Sequence, residues 1–128
     1  MSGCPCGLAT FLDQLSFPEA LSEDSEMSTF VLRLKGPRPT FALDMSEEER
    51  QVMARHAAHW RPWIESGQMV IFGPVLDASG SWGLGVVEAD DEEELRAFAA
   101  NDPVVTTGTA AMEIGKMLGG FVRPQPAR

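Results

Sequence analysis

The chain has 128 residues, 44% of them hydrophobic, a formal net charge of −9 and two cysteines. That length holds one compact domain with a tail, buries a core without disulfides, and excludes a multidomain assembly. The ten Lys and Arg are scattered, with no basic stripe to release counterions from phosphates, so no nucleic-acid partner is expected.

No run approaches the roughly 18 apolar residues of a membrane span, and the first residues lack the basic start and apolar stretch of a signal peptide. A soluble, cytoplasmic protein without a membrane partner is therefore expected. Residues 1–28 hold Asp13, Glu19, Glu23, Asp24 and Glu26 but no Lys or Arg, and read as an acidic, disordered extension. Within it Cys4 and Cys6 flank Pro5. Zinc requires four ligands, and no Cys or His cluster elsewhere completes a set, so no metal site is expected.

The domain is predicted over residues 29–122, followed by a tail over 123–128. Phe30, Leu32 and Leu34 alternate with Val31, Arg33 and Lys35, which predicts the first strand, ended by Gly36-Pro37. Residues 36–44 read as a connecting loop. Ser46 and Glu49 carry a capping-box spacing, and a long helix is predicted from there. Its buried stripe is expected at Met53, Ala57, Trp60 and Ile64, with a kink or interruption at Pro62 and a stop at Ser66-Gly67.

Met69 to Phe72 form an apolar run of strand length ahead of Gly73-Pro74. Asp77 to Gly80 then read as the turn of an antiparallel hairpin whose second strand is Trp82 to Val87. The acidic run Asp90 to Glu94 suits the positive end of a helix dipole, before the apolar Leu95, Phe98 and Ala99. Asn101-Asp102-Pro103 ends that helix, and after residues 104–108 the run Ala111 to Leu118 supplies a fourth strand.

This β-α-β-β-α-β order predicts an α+β fold of ferredoxin-like type: a four-stranded antiparallel sheet with both helices on one face. The other face also requires cover, and a second copy of the sheet supplies it, so a homodimer with a barrel-like interior is expected.

Two histidines occur, His56 and His59, three apart on the long helix. Each reads either as an exposed helix residue or as a functional one; His56, beside the apolar stripe, is placed for proton transfer in a half-buried cleft. Asp102 before Pro103 reads either as a turn former or as the acceptor that orients the His56 ring. Trp60 and Trp63 are candidates to wall an apolar pocket, although Trp60 on the stripe equally suits core packing. Gly73 permits either a close ligand approach or a strand-end bulge. Gly83-Leu84-Gly85 lacks the third glycine of a dinucleotide fingerprint.

The ordered set Asp44 to Glu49, His56-Ala57-Ala58-His59-Trp60, Ser66-Gly67, Phe72 to Asp77, Gly80 to Gly83 and Asn101-Asp102-Pro103 resembles the YciI-like (YCII-related) family, over about residues 29 to 122. The resemblance implies a ferredoxin-like fold dimerising as an α+β barrel, with a paired His and Asp at a pocket, here His56 and Asp102. It also implies cofactor-free proton transfer on a small, cyclic or aromatic molecule, because related dimeric barrels include lactone isomerases and small cofactor-free oxygenases. Trp60, Trp63, Gly73 and Pro74 are then expected near the substrate. Val104 stands where an aromatic residue often follows the Asp-Pro of the family, and the N-terminal extension is outside the pattern. The leading expectation is a lyase- or isomerase-type enzyme without cofactor. The rival is a non-catalytic module that binds a metabolite or a protein, with the His-Asp pair as a structural hydrogen bond.

Overall fold

The computed structural model describes residues 27–124. The expected acidic extension, with Cys4 and Cys6, therefore lies almost wholly outside the described residues, as does most of the C-terminal tail. The elements are β1 (Ser28–Lys35), α1 (Phe41–Asp44), α2 (Glu47–Ser66), β2 (Met69–Asp77), β3 (Gly80–Ala89), α3 (Glu92–Ala100), α4 (Pro103–Thr106) and β4 (Ala111–Lys116). The four strands form one antiparallel sheet in the order β2-β3-β1-β4, which is the ferredoxin-like arrangement.

Period-two alternation fixes which face of the sheet is buried. Phe30, Leu32 and Leu34 are buried while Arg33 and Lys35 between them are exposed. Phe30, Leu32, Val87 and Ala89 from the sheet meet Trp60 of α2 and Leu95 and Ala99 of α3 in one core. A β-bulge between Met69 and Ile71 is what lets both Met69 and Phe72 join that face, because an odd separation otherwise sends them to opposite sides.

Several local expectations change. The strand predicted to stop at Phe72 runs on through Gly73 and Pro74 to Asp77. β2 is an edge strand, where the missing N–H of a proline is tolerated. The predicted connecting loop contains the short α1, whose Phe41 is buried beneath Gly36; a Cβ on Gly36 would lie 2.8 Å from the Phe41 ring. The stretch after Asp102 likewise forms α4, because Asp102 caps it and Pro103 occupies its first turn.

The capping box on α2 is formed: the Ser46 side chain accepts from the Glu49 N–H while Glu49 accepts from the Ser46 N–H. Gly67 ends the helix in the left-handed region at φ 88°, a conformation that favours glycine. Pro62 does not interrupt α2. The carbonyl it leaves without a helical partner belongs to exposed Ala58, where water can serve it. The buried stripe also differs from expectation: His56 and Trp60 are buried, Met53 and Ala57 are half-buried, and Ile64 is 41% exposed. Among the described residues no helix is long and apolar enough to cross a membrane.

Candidate functional site

The site begins with an absence of side chains. Two rows cross the buried face of the sheet, Phe72–Gly85–Leu32–Ile114 and Pro74–Gly83–Leu34–Met112. Each has a glycine at its centre, so the middle of the face is hollow, and α2 crosses above it. The result is a cavity of about 290 Å³. Its floor includes Leu32, Leu34, Gly83 and Gly85, its roof Met53, His56 and Trp60, and its sides Phe41, Phe72 and Met112. The glycines are also tightly set: a Cβ on Gly83 or Gly85 would come within 3.1 Å of Leu34 or Leu32.

His56 reaches this cavity from α2, and Asp102 lies behind it. The His56 Nδ1 to Asp102 Oδ2 distance is 2.6 Å, and the same oxygen accepts the Trp60 Nε1–H at 2.7 Å. Oδ1 accepts the Val104 N–H at 2.9 Å, which is the cap of α4. Asp102 is fully buried and His56 is 7% exposed. Burial drives the Asp102 carboxyl up, but the hydrogen bond from His56, the Val104 N–H, the attraction of the imidazole and the Trp60 N–H together hold it below its ordinary value. Asp102 is therefore an ionised carboxylate.

That charge settles the tautomer of His56. A carboxylate only accepts, so Nδ1 carries a proton, and in the neutral imidazole the lone pair is on Nε2. No hydrogen bond within the described residues engages Nε2, and no buried side-chain nitrogen lacks a partner, so Nε2 opens to accessible space at the cavity that His56 lines. The arrangement is a proton acceptor on an apolar cavity, backed by a buried carboxylate that stabilises the imidazolium formed when a proton arrives.

His59 has a different job. Its Nε2 lies 2.7 Å from the Phe98 carbonyl and its ring stacks on Phe98 at 4.0 Å, tying α2 to α3. Trp63 packs against Trp60 and Phe98 and is not among the cavity-lining residues, whereas Trp60, Gly73 and Pro74 are. A Cβ on Gly73 meets nothing within 4 Å, so glycine is not sterically required there. No group of three or more His, Cys, Asp or Glu that would hold a metal ion occurs among the described residues.

Three features of the site escaped sequence reasoning. Trp60 donates to the same carboxylate as His56, which their i, i+4 spacing on one helix face would have signalled. Gly83 and Gly85 face the same side of β3 and hollow the sheet, which their i, i+2 spacing would have signalled. The 36–45 segment supplies Phe41, Ala42 and Met45 as a wall, and nothing in its two prolines announces that.

This wall is held from outside. Arg38 donates from Nε to Asp44 at 2.8 Å and from both other guanidinium nitrogens to Glu49 at 3.0 and 2.8 Å. The Ser81 hydroxyl donates to the Pro39 carbonyl and accepts the Ala42 N–H.

A search of the curated proteins returns no match. The YCII-related domain, however, matches residues 29–118, which takes in every element from β1 to β4 apart from Ser28, and both members of the His56–Asp102 pair. The chain belongs to the YCII-related family.

Proposed function

We propose that this protein is a cofactor-independent enzyme of lyase or isomerase type that moves a proton on a small molecule bound in the cavity. The observation that carries this reading is the His56 ring, held with Nδ1–H on Asp102 and Nε2 open at the cavity. Nε2 takes a proton from the substrate as general base. Asp102 stabilises the resulting imidazolium, and the same nitrogen returns the proton at a second atom as general acid. Trp60 and Val104 hold the carboxylate still, so the ring keeps one orientation through the cycle.

The test is hydrogen exchange in D₂O on a panel of small cyclic lactones and aromatic carbon acids. Deuterium enters a compound that the wild type deprotonates, and His56→Ala slows that exchange by about 100-fold or more with the fold intact. Asp102→Asn, which no longer restricts the ring to one tautomer, lowers the rate as well. Equal exchange by wild type and His56→Ala removes His56 from the chemistry.

A second reading has a specific observation behind it. Asp102 joins α2 to α4 through three hydrogen bonds and is fully buried, which is what a structural hub of a non-catalytic binding module requires. On that reading His56→Ala lowers the melting temperature by several degrees and no compound exchanges. On the enzymatic reading His56→Ala abolishes exchange and ligand response whatever its effect on stability.

The homodimer belongs to the same proposal. Val31, Leu84 and Val86 are half-buried, and Ile71 is 54% exposed, on the sheet face opposite the helices. A second copy would cover them. Sedimentation equilibrium giving only a 13.9 kDa species would remove it.

A further inference from the structure

The cavity walls also constrain what can enter. Of the described residues that line it, His56 is the only titratable side chain, and none is Lys, Arg, Asp or Glu. Two guanidiniums stand against lining rings without lining the cavity themselves: Arg38, 5.5 Å from the Phe41 ring centre and already bound to Asp44 and Glu49, and Arg33, 4.7 Å from the Trp82 ring centre. Among the described residues an anion placed in this space meets no Lys or Arg side chain on the lining, and the ionised Asp102 stands behind His56. Moving a charge out of water without a counter-charge costs far more than apolar contact returns.

The polar side-chain atoms at the cavity are also almost all engaged. Trp60 Nε1 and His56 Nδ1 are bound to Asp102, Trp82 Nε1 donates to Asp77 at 2.9 Å, and the Ser81 hydroxyl joins Pro39 and Ala42. His56 Nε2 is what remains, and in the neutral ring with its proton on Nδ1 it is an acceptor. Among the described residues a bound molecule therefore meets the His56 acceptor and no free side-chain donor.

Size supplies the third constraint. A dry cavity of about 150 Å³ accommodates benzene. At about 290 Å³ this one takes a molecule of one or two rings. Phe41, Phe72 and Trp60 supply flat apolar surface, and Met53 and Met112 supply adaptable thioethers.

We infer that the site selects an uncharged one- or two-ring compound with a weakly acidic X–H, anchored by donation of that X–H to His56 Nε2. The inference rests on the proposed role of His56 as proton acceptor and specifies what it accepts from. Binding occurs in the neutral form. In the proton transfer the X–H bond breaks, its electron pair stays on X, and a new N–H bond forms at Nε2. The ion pair so created is generated inside the cavity rather than carried in from water, and the Asp102 carboxylate offsets the new charge on the ring.

Three naphthalenes of similar shape test this on the full chain: 2-naphthol carries a neutral O–H, 2-methoxynaphthalene removes the donor, and 2-naphthoate carries a fixed negative charge. Affinity is read from quenching of tryptophan fluorescence, with the His56 ring ¹⁵N shifts as the local reporter. The expected order places 2-naphthol roughly 3- to 10-fold tighter than the methoxy compound, the worth of one hydrogen bond. 2-Naphthoate is weaker than 2-naphthol by more than about 100-fold. In His56→Phe the advantage of naphthol over the methoxy compound disappears. His56→Leu, which likewise carries no acceptor, takes its place if the Phe variant fails to fold by circular dichroism.

Equal affinity of 2-naphthoate and 2-naphthol overturns the selection against charge. Equal affinity of 2-naphthol and 2-methoxynaphthalene in the wild type overturns the X–H anchor. Absence of saturable 2-naphthol binding up to its solubility overturns the inference as a whole. The outcomes separate from those of the exchange assay. Naphthol-selective binding without exchange on any compound keeps this ligand class and removes the enzyme. Exchange that prefers anionic substrates does the reverse.

Discussion

Two polar networks fasten α2, and they stand in opposite surroundings. Asp102 gathers His56, Trp60 and the Val104 N–H out of contact with water. Arg38 gathers Asp44 and Glu49 at the surface, and all three of these side chains keep contact with solvent. The connectivity is alike, but the dielectric is not. Water and salt screen the outer cluster, so its strength is modest and adjustable. The inner cluster is shielded, so each of its donors is expensive to orphan, and the same shielding makes its charge effective on a proton at His56. The outer cluster fastens the 36–45 wall; the inner one reaches the cavity through the histidine it orients.

The largest expected effect separates the two directly. Asp102→Ala leaves the Trp60 N–H and the His56 Nδ1–H without their acceptor in a buried setting and uncaps α4. It should destabilise the protein by about 3–5 kcal/mol in urea unfolding. A loss below about 1 kcal/mol would mean that the inner cluster is not a tight hub.

Acid sharpens the same comparison. The folded state holds the Asp102 carboxyl below its ordinary value near 3.8, so the unfolded chain takes up its proton first as pH falls. The stabilisation is fully present above that value and is lost as pH drops through the folded-state titration. Urea unfolding from pH 6 to pH 3 should therefore show the wild type and Asp102→Asn converging as acid is added. Curves that stay parallel would disconnect Asp102 from the acid limb. Glu49, held down to about 2 chiefly by the hydrogen bond from Arg38, shares that direction, and its effect should shrink in high salt.

Trp60→Phe keeps the ring in the core and deletes one donor to Asp102. A cost of about 2 kcal/mol is expected, with little change in the cavity shape. An unaltered melting temperature would assign Trp60 to packing alone. Gly85→Ala should cost about 1–3 kcal/mol, because its new Cβ presses on Leu32 at 3.1 Å. A stabilised Gly85→Ala protein would show that the sheet can yield at the hollow.

The smallest effect is assigned to Arg38→Ala, which lowers the melting temperature slightly at low ionic strength and not measurably in 1 M NaCl. Its informative readout is the hydrogen exchange of the Phe41 to Met45 amides, which should rise with α2 unaffected. A salt-independent loss would place the outer cluster on the same footing as the inner one.

Much of the fold was legible because local rules and tertiary demands agree. The alternation of Phe30, Leu32 and Leu34, the Ser46/Glu49 box and the turn at Asp77 to Gly80 each need only a few neighbouring residues to be understood. Elements that failed to show are those stabilised from a distance. α1 is held by Phe41 packing under Gly36 and by Arg38, and four residues are too few to sustain a helix by themselves. Pro62 was expected to kink or interrupt α2, and the helix runs on without interruption because the contacts of Trp60 and His56 carry it past one missing bond.

The candidate site divides in the same way. His56 stood out because histidine beside an apolar stripe is chemically conspicuous, and Asp102 because a carboxylate before proline marks a turn. Their 46-residue separation hides the contact, which needs α2 and α4 to be brought together. Trp63 shows the opposite limit: it shares a helix with Trp60, three positions on, and that rotation takes it to the Phe98 side rather than to the cavity.

By itself the sequence determined the element order, the buried face of β1, the caps of α2 and the inventory of groups able to move a proton. These depend on period, propensity and side-chain chemistry, which are properties of short stretches. Only the tertiary structure decided that Gly83 and Gly85 hollow the sheet beneath α2, that Trp60 and His56 share one carboxylate oxygen, and that Nε2 is the nitrogen facing open space. Those facts depend on distances between residues far apart in the chain, and a linear pattern carries no term for them.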